Sequence, residues 1–106
     1  MAWLLLLLAA VFEIAFALSM KASDGFTKLA PTAITVVSIV GGLWFLGLAM
    51  KTLPVSVAYP VWVGLGALGA VGLGVLLFDE PMTPLKLLSV IAIAAGVAGL
   101  KIASGA

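Results

Sequence analysis

Four apolar runs, each about 20 residues long, leave this chain few ways to fold. They span residues 2–20, 31–50, 54–78 and 84–103. A helix rises about 1.5 Å per residue, so each run crosses a hydrocarbon layer roughly 30 Å thick. Transmembrane strands would instead alternate in character over about 9–11 residues, and these runs are continuous. Polar connections punctuate them. KASDGFTKLA carries the turn signal Ser23-Asp24-Gly25, Lys51-Thr52-Leu53 is a tight link, and Asp79-Glu80-Pro81-Met82 is a polar turn. Pro31 and Pro54 stand in the opening turns of their runs, where a missing N–H costs little. Thr83 is placed to cap the fourth run, with Pro84 at its first position. The expectation is an all-α membrane protein, with residues 1–106 forming one domain of four transmembrane helices.

Charge supports this. Charged residues make up 8% of the chain, against about 25% in soluble domains. The net charge of +1, with no arginine and no basic cluster, argues against nucleic-acid binding. Cysteine and histidine are both absent, so there is no thiolate or imidazole to hold a metal or run near-neutral acid–base chemistry. We therefore expect neither an enzyme nor a cofactor or metal site. LLLLLAA resembles the core of a signal peptide. However, no basic segment precedes it, Glu13 interrupts it, and the apolar stretch continues to Met20. It reads as a retained first span of a multi-pass protein in a bacterial inner membrane.

With four spans, Lys51, Lys101 and the terminal amine share one side, and Lys21, Lys28 and Lys86 the other. Lysine excess orients membrane proteins, and here the two sides nearly balance. That permits insertion in both directions. Transporters commonly place their site between inverted repeats, and four helices are too few to hold two. A second, antiparallel copy would supply the missing repeat. Small residues four apart suit close helix approach: Gly66, Ala70 and Gly74 on the third helix, and Ala92 with Gly96 or Ala95 with Gly99 on the fourth. Ser89, Ala92, Gly96 and Gly99 are the expected dimer-packing positions. The same spacing would also serve packing within one subunit.

Glu13 is the lone charge deep within the spans, and such a group costs about 2.5–3.5 kcal/mol on insertion scales. No intramembrane lysine or arginine is available to neutralise it. Its carboxylate must take a proton, accept a mobile cation, or form a protonated helix-to-helix hydrogen bond. The first two options together describe an exchanger. Two such groups facing one midplane cavity would titrate as a coupled pair. Helical spacing puts Ala9, Ala10, Phe16 and Ala17 on the Glu13 side. Tyr59 and Trp62 lie three apart; the tyrosine hydroxyl can donate to a carboxylate, and both rings can meet a cation face-on. Trp44 is deep enough in the second helix to line the same space, and Trp3 suits the interfacial belt. Pro60, Gly64 and Gly66 mark a candidate bend in the third helix, because Pro60 cannot donate to the Ser56 carbonyl.

Taken together, FEIAF, KASDGFTKLAP, KTLP, AYPVWVGLGALGAVG and the FDEP turn resemble the small multidrug resistance transporters, over essentially the whole chain. The resemblance implies an antiparallel dimer exchanging protons for organic cations at paired glutamates. It implies that Glu13 binds proton and substrate, that Tyr59 and Trp62 line the site, and that the third helix bends near Gly64-Leu65-Gly66. MAWLLLL, GALGAVG and F-x-E-P look like the guanidinium-exporter branch. That branch typically has tryptophan where this chain has Phe16 and a hydroxyl residue where it has Gly42. Its usual Gly-Thr/Ile-Ala-Tyr-Ala pattern is here Ser56-Val57-Ala58-Tyr59-Pro60, and Trp44 looks more like the quaternary-ammonium branch. Fewer donors around the glutamate imply a broader or more hydrophobic cation range. Two other readings compete: one half of a paired heterodimer exporting a polyamine-like metabolite, and a non-transporting membrane subunit in which Glu13 is dispensable.

Overall fold

Each helix boundary follows from local hydrogen-bond chemistry. The computed structural model describes residues 1–105, with helices α1 (Ala2–Ala22), α2 (Leu29–Ala49), α3 (Val55–Phe78) and α4 (Pro84–Ala103). All four are long and apolar enough to span a membrane. Ser23, fully buried, ends α1: its N–H donates to the Ser19 carbonyl at 2.9 Å, and its Oγ accepts from the Phe26 N–H at 3.0 Å. Asp24, Gly25 and Phe26 then turn the chain through left-handed conformations, with φ of 51°, 71° and 66°. α2 begins at Leu29, which puts Pro31 in its first turn, and Pro54 is the N-cap of α3 rather than its first residue. Asp79 (φ 54°) closes α3. The Thr83 side chain caps α4 by accepting from the Lys86 N–H at 3.1 Å, with Pro84 next in line.

α1 is the central helix, packed on α2 along one side and α3 along the other. Against α2, the Phe12 ring lies over Gly41 and stacks on Phe45 with centroids 5.7 Å apart. The Thr35 hydroxyl donates to Ser19 Oγ at 2.8 Å, a buried polar link between the same two helices. Against α3, α1 approaches so closely that a Cβ on Gly69 would overlap the Ile14 side chain. The buried apolar core gathers toward one end of the bundle: Leu6, Ala9 and Ala10 from early α1, Leu46 and Ala49 from late α2, and Val57, Ala58, Val61 and Trp62 from early α3. Beyond Trp62, only Gly66 and Gly74 of α3 are buried.

α4 packs mainly on α3, with Val97 filling the space at Gly64, and touches α1 through the Lys101 ammonium, 4.7 Å from the centre of the Trp3 ring; none of its residues is buried. Ser89, Ala92, Gly96 and Gly99 are all exposed, and a Cβ on Gly96 or Gly99 would meet nothing within 4 Å. Within one subunit, then, this small-residue stripe is not used for packing. The result is a flat molecule of 42 × 34 × 16 Å, with three packed helices and a fourth standing to the side.

Candidate functional site

Glu13 projects from the middle of α1 toward α3. Its side-chain stem lies against Gly66, where any Cβ would overlap Glu13 Cγ. Glycine at 66 is therefore a steric requirement of the site, in addition to whatever it contributes to bending. The carboxylate opens into a cavity of about 260 Å³ lined by Ala17, Val63, Gly66, Ala67 and Ala70. At roughly 30 Å³ per liquid water, that is room for a multi-atom cation.

The turn of α1 that carries Glu13 is gripped from both sides. On the α3 side, the Trp62 indole N–H donates to the Ala9 carbonyl at 3.0 Å. In an α-helix that carbonyl also receives the N–H four residues on, which is that of Glu13. On the α2 side, Gly42 sits so close that a Cβ would lie 3.3 Å from Phe12 Cβ and 3.9 Å from the Glu13 nitrogen. A side chain at 42 would press on the same turn.

The residues singled out from sequence take different places. Trp62 is only 5% exposed, and its N–H is committed to the α1 backbone beside Glu13, which leaves no donor there for the Glu13 carboxylate. Tyr59 is 51% exposed and packs its ring 5.6 Å from that of Trp62, at an angle of 57°. It lies four residues before Val63, on the face of α3 that lines the cavity. Phe16 is half-buried and Ala10 is core, and neither belongs to the cavity wall. Trp44 is 68% exposed on α2 and is not in the wall of the Glu13 cavity of this subunit. Pro60 lies within α3, which runs as one α-helix from Val55 to Phe78. Gly64 and Gly66 serve there as contact points for α4 and Glu13. The wall residues Val63 and Ala67 escaped the sequence reading and Ala70 stood out only as a small packing residue, although their offsets of four, eight and eleven from Tyr59 follow one helical face. Among the described residues no group of acidic side chains could hold a metal.

A sequence profile of the Small Multidrug Resistance protein family matches residues 1–93. The chain belongs to this family. Guanidinium exporters of Citrobacter freundii and Salmonella typhimurium are each 43% identical to it over 98% of this chain and 99% of theirs. A guanidinium exporter of Yersinia pseudotuberculosis is 42% identical over 98% of this chain and all of its own. The family membership and the four apolar spans make the protein a multi-pass transporter of the bacterial inner membrane.

Proposed function

We propose that the protein is a proton-coupled antiporter exporting small organic cations, guanidinium-like or quaternary ammonium, and that it works as an antiparallel homodimer. One observation carries this reading. Glu13, the only charge deep in the spans, faces an open cavity whose wall holds no lysine to neutralise it. A proton and a cation compete for that carboxylate. Because only one occupies it at a time, proton entry from one side drives cation exit from the other. The likeness to guanidinium exporters supports guanidinium as one substrate. Phe16 and Gly42 provide no polar side chain, and the Trp62 N–H is already used. A carboxylate held by fewer hydrogen bonds is less selective for a planar polar cation, which broadens the expected range. The exposed small residues of α4, unused within the subunit, support a second copy as partner.

The test uses purified protein in liposomes. Proton-coupled currents are recorded for guanidinium, guanylurea and tetraalkylammonium ions, with Glu13→Gln alongside. Wild type should carry current and Glu13→Gln none. Since the two Glu13 carboxylates of the dimer together give up two protons to admit one cation, exchange moves net charge, and apparent cation affinity should weaken as pH falls, approaching about a hundredfold per pH unit once both are protonated. Absence of current for every cation, or unchanged current in the variant, refutes the exchanger.

A further inference from the structure

The Glu13 cavity continues beyond Ala70. Ala17 and Ala70 also wall a second cavity of about 160 Å³, together with Lys21, Gly74, Phe78 and Glu80. The two form a groove between α1 and α3. On α1 it follows Glu13, Ala17 and Lys21, each four residues apart; on α3 it follows Gly66, Ala70 and Gly74 in the same register. At about 1.5 Å per residue, the mouth is roughly 12 Å from Glu13. It lies at the end of the bundle away from the packed core.

Two charges face this mouth. Lys21 comes from the last turn of α1. Glu80 lies beyond the end of α3, where the left-handed Asp79 turns the chain, and it folds back onto the helix. Its Oε1 sits so close to Gly74 that a Cβ there would lie 2.6 Å away. The carboxylate thus has a fitted seat, and Glu80 is half-buried in it. The rest of the wall is apolar or glycine, a low-dielectric setting in which a fixed charge acts strongly on a passing ion.

We propose that Glu80 is the charge filter of the Glu13 pathway: seated on Gly74, it offsets the Lys21 ammonium that would otherwise repel an incoming cation, and so governs how fast organic cations reach Glu13. Glu80 is an access residue and does not bind the transported ion at rest. This inference rests on the cation-exchange reading of Glu13.

The test measures guanidinium currents in proteoliposomes against concentration, at about 10 mM and about 500 mM salt, with equilibrium guanidinium binding followed by intrinsic tryptophan fluorescence. Glu80→Gln should lower kcat/KM about three- to tenfold at low salt, and by less than twofold at high salt, where screening shortens to a few ångströms. Equilibrium affinity should change less than twofold, because entry and exit slow together. Lys21→Gln should raise kcat/KM, and the double variant should return close to wild type. Gly74→Ala, which unseats the carboxylate without altering charge, should reproduce part of the Glu80→Gln loss. If wild type transports and Glu80→Gln does not differ from it at low salt, the filter is wrong. A loss equal at both salts and not rescued by Lys21→Gln would mark a structural role and also overturn it. If wild type carries no cation at all, the Glu13 reading fails and the filter fails with it.

Discussion

The seat of Glu13 on Gly66 makes the site intolerant of a single methyl group. In Gly66→Ala the new Cβ would occupy the space of Glu13 Cγ, so either the carboxylate swings away or α1 and α3 separate. We expect transport to fall at least tenfold, as for other misplacements of about 1 Å in a reacting group, while the protein still inserts and purifies. Proton-coupled currents beside a detergent-stability measurement check this, and full activity would show that the contact gives way freely. Trp62 illustrates a residue whose chemistry was legible but whose use was not. An aromatic with a donor, three residues from Tyr59, pointed toward a cation site. Only the relation of α3 to α1 revealed that the donor is spent on the Ala9 carbonyl.

At the scale of elements, α3 joins a defective backbone to a crowded surface. Pro60 leaves the Ser56 carbonyl without its usual helical donor, one turn before the segment that walls the cavity. Pro60→Ala supplies that donor. The expected outcome is a more thermostable protein, by about 1 kcal/mol for one added hydrogen bond, with slower exchange. Thermal melts and turnover numbers test this, and faster exchange would contradict a hinge at this position. Helix ends were readable because caps and turns are local: Thr83-Pro84 and Ser23-Asp24-Gly25 announce themselves in three residues or fewer. The faces of α3 were not readable, because the helix is apolar all round and no polar side reveals which residues turn inward. Val63 and Ala67 carry no signal for that reason, Ala70 stands out only as a small residue, and depth alone speaks for Trp44. Glu13 was legible because a lone charge among apolar residues needs no register to be noticed.

For the whole molecule, the nearly balanced lysines and the exposed α4 bear on how copies insert and meet. Dual insertion predicts that single cysteines at Thr27 and Thr52, exposed in loops at opposite ends, each label partially from outside the cell. Since the native chain has no cysteine, any label is unambiguous. Labelling of one site only would show a single orientation and remove the antiparallel homodimer. The uneven distribution of the core carries a further consequence. Each subunit gathers its buried core at one end and opens its charged groove at the other. Two identical subunits set head to tail would give each leaflet one firm end and one yielding end. Opening toward either compartment would then be the same event seen in a mirror of orientation, with equal energy when both compartments match. Such a device has no preferred direction of its own, and the sense of pumping would be set wholly by the gradients across the bilayer.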